Sequence, residues 1–126
     1  HHPTEISSVL SGVEKVYENK EIVCVFQPHR ISRVKSLKKE FSKCFKKADT
    51  VLLCPIYTAN EKLRLNFTYH SFAKLIIKNS NVRLIQVENE LQLQKFIKQN
   101  VFGEKIYIGM GAGSISNWMK NLKNIF

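Results

Sequence analysis

The chain lacks most of what would place it in a specialised class. None of its 126 residues form an apolar run approaching the roughly 18 positions of a membrane span. No signal-peptide pattern opens it. Cysteine is scarce: Cys24, Cys44 and Cys54 lie inside apolar patterns, in odd number and without metal-ligand spacing. That usage reads as reduced, buried thiols in a cytoplasmic protein. Internal repeats, low-complexity stretches and interdomain linkers are missing, so the length corresponds to one domain with a single core. Acidic residues are also few, 10 against 20 Lys and Arg, which leaves a formal charge of +10.

A basic surface favours anionic partners, and a nucleic-acid-binding α/β module is one reading of that charge. However, Lys35, Lys38, Lys39, Lys43, Lys46 and Lys47 share one segment whose other face is apolar, the pattern of a solvated helix face. The aromatic residues fall on apolar faces by periodicity, and no recognised nucleic-acid module signature is present. Neither nucleic acid nor a membrane is therefore expected as a partner.

What is there is an alternation of periodicities. Ile6, Val9, Leu10, Val13, Val16 and Tyr17 recur at helical spacing over residues 3–18, with Pro3 suited to a first turn and Glu5 to the positive end of the helix dipole. Residues 21–26 form a short apolar run without polar alternation, as in a strand buried on both faces. The pattern then repeats. Val34, Leu37, Phe41, Cys44, Phe45 and Ala48 predict one helix, and residues 51–54 a second strand. A loop over 55–66 leads to a helix at 67–78, a strand at 82–87, a helix at 90–99 and a strand at 105–110. A last helix carries Ile115, Trp118, Met119, Leu122 and Ile125 on one face. The expected fold is α/β, a mostly parallel sheet with helices on both sides.

In such sheets ligands bind beyond the carboxyl ends of the strands, near a reversal of strand order. Gln27-Pro28-His29-Arg30 follows the first strand, Ile56-Tyr57-Thr58-Ala59 the second, and Gly111-Ala112-Gly113-Ser114 the fourth. The three segments should share one rim, and the start of the first helix, at His1-His2, should reach it as well. Arg30 and Arg33, three apart, can converge on a small anion, since a guanidinium matches a carboxylate with two parallel hydrogen bonds. Alternatively both are solvated or pair with acidic side chains. His1, His2 and His29 are candidates for orienting a ligand or moving a proton. No carboxylate or cysteine stands at ligand spacing around them, so no metal is expected, and His2 also suits simple helix capping. The Gly111, Ala112, Gly113 turn reads either as a tight strand-to-helix connection needing positive φ or as backbone N–H groups facing an anion. It is neither a dinucleotide fingerprint nor a P-loop, because no third glycine and no Lys-Ser or Lys-Thr follows at the required place.

Taken together, His1-His2-Pro3-Thr4-Glu5-Ile6, Phe26-Gln27-Pro28-His29-Arg30 with Arg33, and Gly111-Ala112-Gly113 resemble the C-terminal domain of the Mur ligases. The resemblance runs in order through residues 1–126. The Pro28-His29-Arg30 motif with Arg33 points to the members that add L-alanine. Ile56-Tyr57 to Glu61 is similar to a further family loop, with Asn60 where that loop normally has glycine.

The resemblance implies a Rossmann-like three-layer α/β/α domain. It implies that the chain begins inside a longer protein, whose N-terminal UDP-binding and central ATP-binding domains lie outside it. The implied enzyme is an ATP-dependent ligase of peptidoglycan synthesis, with ATP and Mg2+ held mainly by the central domain. It joins L-alanine to UDP-N-acetylmuramate through an acyl phosphate. Carried over residue by residue, His1, His29, Arg30 and Arg33 match positions associated with holding L-alanine. The domain alone is then expected to be inactive. A free-standing amino-acid-sensing domain is the remaining alternative.

Overall fold

A computed structural model describes residues 2–57, 69–100, 103–111 and 113–123. Four strands, β1 (Glu21–Gln27), β2 (Thr50–Leu53), β3 (Arg83–Gln86) and β4 (Lys105–Gly111), form one sheet in the order β3-β2-β1-β4. Every pairing is parallel. Strand order therefore reverses between β1 and β4, which lie side by side with Gln27 opposite Gly111. β1 and β2 are central and buried on both faces, as their unbroken apolar runs require. β3 and β4 are the outer strands and are only half-buried.

Alternation along β1 divides the core in two. Ile22, Cys24 and Phe26 face a layer built from α1 (Pro3–Val16), α2 (Ile31–Ser36), α3 (Lys38–Lys43) and α4 (Tyr69–Ser80). There the Phe26 ring packs on Phe45 and Phe41, with centroids 5.0 and 5.6 Å apart. Val23 and Val25 face the opposite layer, formed by α5 (Glu90–Gln99) and α6 (Ile115–Lys123) through Leu93, Ile97, Ile115 and Leu122. The result is the expected three-layer α/β/α arrangement. All three cysteines are buried and unbonded to one another. Burial pushes the Cys44 and Cys54 thiols up to about 12 and raises Cys24 as well, so all three behave as protonated apolar side chains.

The single helix predicted through Val34 and Ala48 is corrected to two short ones. The chain leaves helical geometry at Leu37 (φ −112°, ψ 21°) and again after Lys43. Serine hydroxyls compete for backbone groups at both breaks. Ser36 Oγ donates to Arg33 O at 3.2 Å. Ser42 Oγ donates to Lys39 O at 2.7 Å, while Ser80 Oγ donates to Ser42 O at 2.5 Å and accepts from Phe45 N at 3.2 Å. The breaks allow Val34, Phe41, Cys44 and Phe45 all to point inward. Lys39, Lys43, Lys46 and Lys47 then stand in solvent, Lys47 in an ion pair with Glu14 at 3.4 Å. The lysine run is thus the outer face of this segment. No helix among the described residues is long and apolar enough to cross a membrane.

Candidate functional site

The carboxyl rim of the sheet is tied together by one buried amide. Gln27 ends β1 with 3% of its surface exposed. Its Nε2 donates to Ser114 Oγ at 2.9 Å and to Pro55 O at 3.2 Å. Its Oε1 accepts from Ile115 N at 2.9 Å and from Ser114 Oγ at 3.3 Å. The segments after β1, β2 and β4 are thereby joined through a single side chain. A buried amide left without partners is costly, so these loops have little freedom to separate. A glutamine closing an otherwise apolar strand was a readable signal, yet sequence reasoning assigned Gln27 no role of its own.

Beyond Gln27 the β1–β2 ladder continues. Cys54 N donates to Phe26 O at 2.8 Å, Tyr57 N to Pro28 O at 2.8 Å and Arg30 N to Tyr57 O at 2.7 Å. His29 and Tyr57 form an isolated parallel bridge, and their rings stack at 5.5 Å with planes 13° apart. Beneath this loop Tyr69 donates its hydroxyl to Cys54 O, and burial raises its phenol pKa.

Arg30 caps α2 with φ 67° and ψ 131°. That combination lies outside even the left-handed helical region and is unfavourable for a residue with a Cβ. The Tyr57 carbonyl helps to hold it there. Arg30 and Arg33 line the same open depression, of about 590 Å³, together with Ser32 and Ser36. The two guanidinium-bearing residues therefore share one surface at the start of α2.

The glycine turn takes the positive φ that its sequence suggests. Gly111 and Gly113 have φ of 136° and 96°. A Cβ on Gly111 would lie 2.2 Å from Gln27 O, and one on Gly113 would lie 2.4 Å from Cγ of Tyr57. Both positions are thus fixed by close approach as well as by φ. The first free N–H of α6, on Ile115, is taken by Gln27 rather than turned outward.

The start of α1 reaches the same rim. Glu5, Ile6 and Val9 face Ile108 to Gly111 across a cleft of about 290 Å³. His2 is the N-cap, its Nδ1 accepting from Thr4 N at 3.3 Å, which is the capping role. His1, Ala112 and the Thr58-to-Glu61 part of the loop after β2, with Asn60, lie outside the described residues. Among those described, no three His, Cys, Asp or Glu side chains gather as a metal site.

No family model matches the chain. Curated relatives do. It is 63% identical over 125 residues to UDP-N-acetylmuramate–L-alanine ligase of Pelagibacter ubique, a match covering 99% of this chain and 27% of that protein. It is 34% identical over 118 residues to the ligase of the same name from Caulobacter vibrioides, covering 94% of this chain and 25% of the relative. The chain thus spans about a quarter of the length of these relatives. Among solved structures, UDP-N-acetylmuramate–alanine ligase from Thermotoga maritima superposes with a TM-score of 0.71 at 26% identity, over 99% of this chain and 24% of that one. A murein peptide ligase from Psychrobacter arcticus shares the fold at a TM-score of 0.71 and 15% identity, over 98% of this chain and 25% of that one. With its motifs, its three layers and these matches in agreement, the chain belongs to the Mur ligase family, as a C-terminal domain closely related to that of the L-alanine-adding ligases.

Proposed function

We propose that this chain is the amino-acid-binding domain of an ATP-dependent ligase that joins L-alanine to UDP-N-acetylmuramate. The observation that carries the reading is that Arg30 and Arg33 line one open depression at the start of α2, in the segment that follows β1 at the carboxyl rim of the sheet. Guanidinium groups there hold the alanine carboxylate and leave the amine directed towards the acyl phosphate formed from the muramate carboxylate. This is catalysis by positioning: a held nucleophile replaces a bimolecular encounter. The amine attacks in its unprotonated form, so a proton acceptor is required nearby. His29 is taken as a ligand-orienting group beside Arg30, and the family resemblance adds His1 to that role.

The Gly111–Gly113 turn does not fit a triphosphate loop. No Lys-Ser or Lys-Thr follows it, and Gln27 occupies the Ile115 N–H. ATP and Mg2+ are accordingly assigned to a central domain outside this chain, and UDP-N-acetylmuramate to an N-terminal one. The setting is cytoplasmic peptidoglycan synthesis, and the domain alone is inactive.

The test is Arg30→Ala in the full-length ligase. A sheltered charge-assisted bond is worth about 1.5–3 kcal/mol, so KM for L-alanine should rise about 10- to 100-fold. KM for the UDP-sugar should not move. An unchanged KM for alanine would remove the carboxylate-clamp assignment. ATP hydrolysis above background by the isolated chain would contradict the division of labour between domains.

A further inference from the structure

We infer that Tyr57 is a positioning residue that sets the plane of the His29 imidazole at the amino-acid site. The inference rests on the proposed function above, and begins with an oddity of packing. Tyr57 is a large aromatic residue, 41% exposed, that belongs to neither core cluster. Its backbone nevertheless brackets His29 on both sides, through Pro28 O and Arg30 N.

The register explains how the two rings meet. Phe26 pairs with Leu53, whereas three residues later His29 pairs with Tyr57, so the β2 side has gained one residue. Pro55 lies within that stretch, where a residue without an N–H cannot continue a ladder. The extra residue brings Tyr57 opposite His29, and partners in a parallel ladder point their side chains to the same face. The rings stack as a result. Tyr57 also lies against Gly113, where any Cβ would collide with its ring. The phenol ring is thus held between the segments after β1 and β4.

Stacking of this kind contributes little to the fold. It does decide orientation, because the second torsion of histidine is broad and roughly two-fold and has no sharp preference of its own. A neighbouring flat ring selects one plane for the imidazole that precedes Arg30. Tyr57 acts through His29 and needs no contact with substrate. Its hydroxyl is dispensable in this role and its ring is not.

The test is a double-mutant cycle in the full-length ligase. Tyr57→Phe should match the parent. Tyr57→Leu should raise KM for L-alanine about 5- to 10-fold, the scale of one ring–ring contact, with KM for the UDP-sugar unchanged. In a His29→Ala background, Tyr57→Leu should add nothing. Equal penalties with and without His29 would overturn the inference, as would a neutral Tyr57→Leu beside a damaging His29→Ala. If His29→Ala itself leaves KM for alanine unchanged, it is the role of His29 in the proposed function that fails, and this inference falls with it. A spectroscopic measurement on the unmutated protein stands apart from any folding defect. With labelled histidine, the His29 ring protons should resonate upfield of those of exposed His70, because of the tyrosine ring current. Coincident shifts would show that the rings do not stack.

Discussion

The two ends of the sheet are built on opposite plans. At the amino end, each positive-φ position among the described residues is filled by a residue type that tolerates it. Positive φ falls on Gly103 and on Asn81 (φ 54°), the latter a residue that enters the left-handed region readily. Asp49 braces three strands at once. Its Oδ2 accepts from Ile22 N at 2.7 Å, its N–H donates to Ile22 O at 2.9 Å, and its carbonyl accepts from Arg83 N at 3.2 Å. Lys105 Nζ donates to Asn100 O at 2.8 Å and lies 3.6 Å from Glu21. Polar groups here are spent on one another. At the carboxyl end, strain falls on Arg30, whose type gives it no tolerance for that backbone. Arginines gather around an open depression and an aromatic ring stays in solvent. The amino end pairs its polar groups internally, whereas the carboxyl end keeps strain and an open, arginine-lined depression at the site proposed above.

That contrast can be broken most severely at Gly111. Gly111→Ala places a Cβ 2.2 Å from Gln27 O at a φ that alanine resists. The combined strain and overpacking should cost about 3–5 kcal/mol, read as a drop in denaturation midpoint together with loss of alanine use. Asp49→Ala should separate the two ends. It leaves the Ile22 N–H unpaired and costs about 1–3 kcal/mol by denaturation, while KM for alanine in the full-length ligase stays at the parent value. If that KM moved as well, the ends would not be independent. The smallest effect sharpens the comparison. Arg30→Gly and Arg30→Ala both lose the side chain, but only glycine relaxes at φ 67°, so Arg30→Gly should be the more stable by about 1 kcal/mol. The same pair of substitutions at Asn81 tests whether the amino end carries comparable strain.

Much of this was legible in the sequence, for identifiable reasons. β1 and β2 could be read because central parallel strands must be apolar on both faces, which gives runs such as Ile22 to Phe26. The rim could be placed because strand-end segments of a parallel sheet share one edge. The grouping of Arg30 with Arg33 followed from their spacing at the start of a helix. The break after Lys43 was not legible. It depends on Ser80 of α4, whose hydroxyl bonds Ser42 O and Phe45 N from 35 or more residues away in sequence. The stacking of Tyr57 on His29 was hidden for a similar reason, since it needs a one-residue slip in register and a distant glycine.

Gln27 has one more consequence. Its amide secures the first turn of α6, where Ser114 O accepts from Trp118 N at 3.1 Å. Trp118 is the sole tryptophan of the chain and packs partly buried against the α5–α6 side of the core. A built-in fluorophore therefore sits one helical turn from the latch of the rim. Movement there should alter its emission, so occupancy can be followed by light without attaching a dye.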